Sequence, residues 1–397
     1  MGNDPKLDRS RGARPTMRDV AALAGVGVMT VSRVVNGREG VSPQRAARVW
    51  RAIEQLDYRH NVTARHLRLT GQPTATIGVL VDNVANPFAG ELLRAVEDVV
   101  REQDYLVVCA SSDNDAARER ALLSAFCARR VDGLIIMPAG PDYRYLLPEV
   151  RRGIQMVFVD RPAPMVAADT VISDNALGAR LAVAHLLDRG HTRVGFLGGV
   201  REVHTATERY HGYLDALRLH GIEPDERLVR RDIRSEQEAA QAAYDLLRTS
   251  PGPTALFSSQ NMLTAGTRLA LHTIGAQRRI AHVGFDDFPF AALLDPGITV
   301  IAQDPPALGT LAARLLLRRI PDPDHQPETV LVPVNLVARG SGEIPPSAAD
   351  EMPLLSLQPE LLAAVARPLR IHTPRRRHER ALVARREPVP DLRPLLA

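Results

Sequence analysis

The stretch M-R-D-V-A-A-L-A-G-V-G-V-M-T-V-S-R-V-V-N-G, Met17 to Gly37, decides how the first part of the chain is read. Thr16 followed three residues on by Asp19 has the form of a capping box, and Val20, Leu23 and Ala24 then give the apolar spacing of a short helix. Gly25 breaks it. A second helix is predicted over Val28 to Val35, with Val31, Val34 and Val35 turned inward and Asn36-Gly37 as its stop. Ser42-Pro43 opens a third, because Ser caps and Pro suits the first helical position; Ala46, Val49, Ile53 and Leu56 form its buried stripe. Three short helices, the first two separated by a tight glycine turn, describe a helix-turn-helix unit. In such a unit the second helix lies in the major groove of DNA and its N-terminal residues reach base edges. Val28, Met29 and Arg33 are placed to do so: Arg33 can pair with guanine O6 and N7, and the two apolar residues can pack on thymine methyls. The hydroxyls of Thr30 and Ser32 suit phosphate oxygens.

Charge is divided in a way that supports this. Residues 1–70 carry 13 Lys and Arg against 6 Asp and Glu, a surplus of +7. Residues 341–397 carry 9 against 7, so a total of +4 leaves −5 for residues 71–340. A basic head on an acidic body implies a polyanion as the partner of the head and something else as the partner of the body.

Residues 1–15 have no apolar period and read as a flexible basic arm. Residues 16–60 form the helix-turn-helix domain, and 61–75 a linker with weak helical spacing that breaks at Gly71-Gln72-Pro73. From Thr76 the pattern changes to continuous apolar runs alternating with amphipathic helices. The predicted strands are Ile77 to Val81, Tyr105 to Ala110, Gly133 to Met137, Met156 to Asp160, Val194 to Leu197, Ala255 to Phe257 and His282 to Phe285. The predicted helices between them include Glu91 to Glu102, Ala116 to Arg129, Ala176 to Asp188 and Arg209 to His220. Apolar strands separated by helices mean parallel sheets covered on both faces, here an α/β core of two lobes over 76–340. The chain is expected to pass between lobes near Arg161 to Ala163 and again near Leu293 to Gln303. Beyond Gly340 the period fades, and 341–397 read as a disordered tail with a short helix at Pro359 to Ala366.

The excluded classes narrow the function. Two cysteines, Cys109 and Cys127, rule out a disulfide framework and a cysteine-built zinc site and fit a reducing compartment. No apolar run is long enough to cross a membrane and no secretory signal opens the chain, so a cytoplasmic protein without a membrane partner is expected. Gly195 to Gly199 is not a dinucleotide fingerprint, no P-loop occurs, the histidines lack zinc-ligand spacing, and no serine sits in a G-x-S-x-G turn. No enzyme, catalytic residue, cofactor or metal is expected.

Met17 to Gly37 resembles the DNA-binding headpiece of the lactose-repressor (LacI/GalR) family. Val41 to Tyr58, V-S-P-Q-R-A-A-R-V-W-R-A-I-E-Q-L-D-Y, is similar to its third helix, and Asn61-Val62-Thr63-Ala64-Arg65-His66-Leu67 to its hinge helix. The body resembles the family's periplasmic-binding-protein-like core in I-G-V-L-V-D-N-V-A-N-P-F from Ile77, V-F-V-D-R-P from Val157, and S-D-N-A-L-G-A-R-L-A-V-A-H-L-L-D-R-G-H from Ser173. V-G-F-L-G-G, R-Y-H-G-Y-L-D-A-L and V-G-F-D-D-F complete the match, which covers about residues 16–340. The resemblance implies DNA contacts from Thr16, Val28, Met29, Thr30, Ser32, Arg33, Asn36, Ala64 and Arg65, with Leu67 as a minor-groove wedge. It also implies a homodimer on a double-stranded operator and a small-molecule effector, by default a carbohydrate, bound between the lobes.

For that effector the resemblance carries over Phe88, Asp160, Arg209, Gln260 and Asp286, with Phe288 as a second ring. Three positions depart from the family pattern. Gly27 stands where a capping serine is usual, His60 replaces a proline before the hinge, and Ser259-Gln260-Asn261 replaces an asparagine-aspartate pair. The expected function is a transcriptional repressor whose operator affinity a ligand controls. The alternative is a sugar-binding or nucleoside-metabolising α/β protein with an incidental basic head, which leaves the matched headpiece and hinge unexplained.

Overall fold

The computed structural model describes residues 15–35, 39–58, 74–140, 142–163 and 165–346. The arm, the hinge stretch and the chain from 347 onward lie outside these residues.

The head is three helices, α1 (Met17–Ala24), α2 (Val28–Val35) and α3 (Pro43–Leu56). The capping box at the start of α1 is complete. Thr16 accepts from the Asp19 backbone N–H, and Asp19 accepts from the N–H of Thr16. Gly25 ends α1 at φ 61, a left-handed conformation that costs a residue without Cβ little. The Gly27 carbonyl accepts from Thr30 and Val31 and so starts α2 with no side chain to cap it. Two details differ from expectation. Ser42 precedes α3, but its side chain makes no capping bond, so Pro43 at the first position carries the start alone. The buried stripe of α3 is Val49 and Ala52, while Ala46, Ile53 and Leu56 are half-buried against the same core of Val20, Ala21, Ala24, Val31 and Val34.

The body contains β1 (Thr76–Val81), α4 (Pro87–Arg101), β2 (Leu106–Ser111), α5 (Ala116–Ala128), β3 (Gly133–Ile136), α6 (Leu147–Arg151), β4 (Gln155–Val159) and β5 (Asp169–Ser173). There follow α7 (Asn175–Leu187), β6 (Val194–Leu197), α8 (His204–Leu219), β7 (Val229–Arg230), α9 (Glu236–Leu247), β8 (Ala255–Ser258), α10 (Asn261–Thr273) and β9 (Ala281–Phe285). The chain ends its described course with β10 (Thr299–Ala302), α11 (Pro305–Arg319), β11 (Thr329–Val332) and β12 (Asn335–Val337).

Two six-stranded sheets result, in the orders β11-β5-β4-β3-β1-β2 and β12-β10-β9-β8-β6-β7. Strands β1 to β5 pair in parallel, as do β6 to β10, and β12 joins β10 antiparallel. Their central strands are buried along their length, as sheets covered on both faces require. Seven strands were expected; the five not foreseen are β5, β7, β10, β11 and β12.

The body divides into two compact units. The first ends at Ile172 and resumes over Pro305–Leu331; the second takes Ser173–Asp304 and the chain from Val332. The first passage therefore lies at the end of β5, between Ile172 and Ser173, and not at Arg161 to Ala163, because Asp169 to Val171 still pair with β4. The second lies at Asp304, just past the expected segment, and a third at Leu331 was not foreseen. The second unit also extends past Gly340. Ser341 is buried, its hydroxyl donates to the His282 carbonyl, and the Glu343 carboxylate accepts from Thr299 and from the Gly340 N–H.

Each unit has a helix pair in close approach. In α11 a Cβ on Gly309 would lie 2.3 Å from the Leu92 carbonyl oxygen of α4, and in α8 a Cβ on Gly212 would lie 2.2 Å from that of Ala176 in α7. Only glycine lets the backbones meet there.

Candidate functional site

In the head, α2 is held from one side only. Val31 and Val34 bury into the three-helix core, which leaves the opposite face to solvent. On it Val28 is 42% exposed and Met29 71%, Arg33 is exposed, and Thr30 and Ser32 are half-exposed. A methionine so open is an unfavourable surface for an isolated domain and a useful one for a partner with methyl groups. Thr16 belongs to the start of α1, and its hydroxyl donates to Asp19 Oδ2 at 2.8 Å, so that oxygen already has a task inside the head. Asn36, Ala64, Arg65 and Leu67 lie outside the described residues.

In the second unit, Arg209 of α8 is 4% exposed and sits where the parallel strands end. Its Nε donates to Asn175 Oδ1 at 2.8 Å and its Nη1 to the Ser259 carbonyl at 2.6 Å, and Nη1 lies 3.5 Å from Asp286 Oδ2. The guanidinium also lies over the Phe285 ring, 3.8 Å from its centroid. Asp286 follows β9 at φ 68, with its N–H bonded to the Ile301 carbonyl and its Oδ1 accepting from Gln303 Nε2 at 2.5 Å. Among the described residues of this unit four buried oxygens have no partner, Ser173 Oγ, Ser259 Oγ, Gln277 Oε1 and Gln303 Oε1, and two of them belong to residues that bond Arg209 or Asp286. A buried polar atom left unmet is costly, so fixed charged groups beside spare oxygens suit a ligand rich in hydroxyls.

The sequence pointed to Arg209 and Asp286 but not to Asn175 or Gln303. Asn175 lies inside the S-D-N run, and Gln303 follows a strand that was not foreseen. Gln260 precedes α10 without capping it, and its amide borders Gly199. Phe288 packs half-buried on Ala291, Ile298 and Val300.

The first unit holds the other two carried-over residues. Asp160 follows β4 at φ 72, with its N–H on the Val171 carbonyl, the place Asp286 has after β9. It is buried and paired with Arg161 Nε at 3.0 Å, while Arg161 Nη1 donates to Asn114 at 2.9 Å. Burial pushes the Asp82 carboxyl above its usual range, with Arg161 pulling it back. Phe88 is buried in the first turn of α4, where the Asn86 side chain accepts from its N–H. Among the described residues no cluster of His, Cys, Asp or Glu has the arrangement to hold a metal, and no helix is long and apolar enough to cross a membrane.

Comparison with known proteins bears on both regions. Residues 16–61 match the family described as bacterial regulatory proteins, lacI family, and residues 183–342 the periplasmic binding protein-like domain. A ribose operon repressor of Halalkalibacterium halodurans is 34% identical over 332 residues, 82% of this chain and 96% of its own. The transcriptional repressor PurR of Aliivibrio salmonicida is 30% identical over 78% of this chain and 94% of its own. Among solved structures, the lac repressor dimer bound to operator and the anti-inducer ONPF aligns with a TM-score of 0.73 and 26% identity, over 83% of this chain and 99% of that one. Identity at this level across almost the whole length of such relatives settles the matter, and the chain belongs to the lacI family of bacterial regulatory proteins.

Proposed function

We propose that this chain is a transcriptional repressor that binds a palindromic operator as a homodimer and whose operator affinity is set by a sugar-like effector. The observation that carries the DNA half is the face of α2. Val28, Met29 and Arg33 stand open on a helix anchored by Val31 and Val34, within a stretch, residues 1–70, that carries a surplus of +7. Two heads on one duplex read half-sites about one helical turn apart, roughly 34 Å.

The effector half rests on the Arg209, Asn175, Asp286 and Gln303 cluster. Relatives named for ribose operons, and a family structure from Enterococcus faecium with bound ribose, favour a carbohydrate. PurR relatives keep a purine as the second choice. A ligand changes operator affinity only by binding two states of the protein unequally, and the coupling is reciprocal. No catalytic step is assigned to any residue, and the cytoplasm is the compartment that this role requires.

Selection of a preferred operator from random duplexes, followed by mobility-shift titration with and without a panel of sugars and purines, tests the proposal. A two-fold symmetric site whose affinity one compound changes is the expected result. Binding without sequence preference would overturn it.

A further inference from the structure

Arg231, one residue past β7, is not explained by the packing around it. Its guanidinium lies over the Tyr210 ring, 4.4 Å from the centroid, and its Nε and Nη2 are buried with no hydrogen-bond partner. Three neighbouring arginines are engaged. Arg201 pairs with Asp232 at 2.7 Å, Arg227 pairs with Asp225 at 2.9 Å, and Arg230 donates to the carbonyls of Arg227 and Val229. The carboxylate next to Arg231 in sequence is therefore already taken. A guanidinium held against an aromatic face with donors unmet is poised for an acceptor from outside the chain.

Its position says which acceptor. Strands β7, β6, β8 and β9 are neighbours in that order and run parallel, so residues past their ends share one edge of the sheet. On that edge stand Arg231 after β7, Gly198 and Gly199 after β6, Ser259 and Gln260 after β8, and Asp286 after β9. A Cβ on Gly198 would lie 3.5 Å from Arg231 Cγ, and one on Gly199 would lie 3.3 Å from Gln260 Oε1, which ties the two ends of the edge together. Tyr210 directly follows Arg209 in α8. The edge thus offers a hydroxyl-binding group at one end and, at the other, a guanidinium with two donors unmet.

We infer that Arg231 is an anion-recognising residue of the effector site, and that the effector is a polyol carrying a phosphate or a carboxylate. This rests on the Arg209 cluster being the effector site. The planar fork of an arginine matches both anions, and the Tyr210 ring beneath it limits where the guanidinium can go.

Calorimetry on the full chain with matched sets decides it: ribose against ribose 5-phosphate, and glucose against glucose 6-phosphate and glucuronate, with inorganic phosphate alone. One anionic member should bind at least tenfold tighter than its neutral counterpart, phosphate and carboxylate being told apart by the hexose set. Arg231→Gln should erase that preference and leave neutral-sugar affinity within twofold. Arg231→Met, which keeps the packing on Tyr210, serves if the glutamine variant does not fold. A neutral sugar bound as well or better, a preference that survives both variants, or no anionic sugar bound at all would overturn the inference. Asp286→Asn separates the two levels. If it abolishes all sugar binding while Arg231→Gln changes nothing, the cluster reading stands and the anion falls; if it leaves every affinity unchanged, the cluster reading falls.

Discussion

Arg209 lies over the ring of Phe285, 3.8 Å from its centroid, while two of its nitrogens are bonded to Asn175 and to the Ser259 carbonyl. The ring closes one face of the guanidinium and the bonds fix its edge, so the group cannot swing away. Such a charge is worth little to the apo fold and much to a ligand that needs it in place. Removing it strands the Asn175, Ser259 and Asp286 acceptors at about 1–3 kcal/mol for each one left dry. Arg209→Leu should therefore lower the denaturation midpoint clearly, whereas Phe285→Leu should cost chiefly packing and the cation–π contact. A Phe285→Leu protein that bound effector with unchanged affinity would show that the ring does not orient the arginine.

Arg33→Ala should weaken binding to the selected operator by about 1–3 kcal/mol and change binding to random duplex much less, because a bidentate base contact carries sequence information. Competition mobility shifts at fixed salt measure both. An equal loss on both duplexes would make Arg33 a phosphate contact.

The two glycine environments in the head and the body predict opposite outcomes. Gly27 has nothing within 4 Å of where a Cβ would go, and its carbonyl starts α2. Gly27→Ser should be accepted and should stabilise the head by a few tenths of a kcal/mol. Gly212→Ala would press a methyl against the Ala176 carbonyl and force α7 and α8 apart, with a loss of about 1–3 kcal/mol. Chemical denaturation of the two variants checks the pair.

Stability should fall as the medium becomes acidic. His282 is fully buried, with Nε2 on Ser258 and Nδ1 unpartnered, and burial, aided by the Arg268 charge, holds its pKa well below the usual value. Burial also lowers His191, whose ring is fixed by Thr254 and the Ile344 carbonyl. A base with a depressed folded pKa is protonated first in the unfolded chain. The stability it supports is therefore complete above about pH 6.5 and is lost below it, by up to about 1.4 kcal/mol per pH unit for each group. Denaturation midpoints at pH 7.5 and 5.5 measure the loss, and His282→Gln should reduce it. An identical pH dependence in that variant would assign the effect elsewhere.

The head was legible in the sequence because its signals are local: a Thr-to-Asp box, a glycine stop, and valines at helical spacing. The central strands were legible because V-F-V and V-G-F are apolar without interruption. Strand β5, D-T-V-I-S, hid because its buried members include Asp169 and Thr170; Asp169 is paired with Arg319 Nε at 2.7 Å, a partner 150 residues away. Helices α9 and α10 bury Ala239, Ala240, Ala243, Gly266, Thr267 and Ala270, small residues that give no strong apolar period. Arg209 and Asp286 were reached through family resemblance, since an arginine and an aspartate 77 residues apart carry no spacing signal. Arg231 could not be reached at all, because an unmet donor is a property of its surroundings.

The third passage of the chain, at Leu331, bears on how the protein is made. The first unit takes α11 and β11 from residues 305–331, and β11 is the strand that covers the β5 edge of the first sheet. A ribosome delivers residues 173–304 before them, so throughout that interval the first sheet keeps an open edge and α4 lacks the helix it packs on. The second unit is thus synthesised as an insertion into an unfinished first one. Release of the chain before residue 305 yields a product with an exposed strand edge and an uncovered helix, and release between α11 and β11 still leaves the edge open; either is a substrate for aggregation or for quality-control proteases and not a shorter repressor.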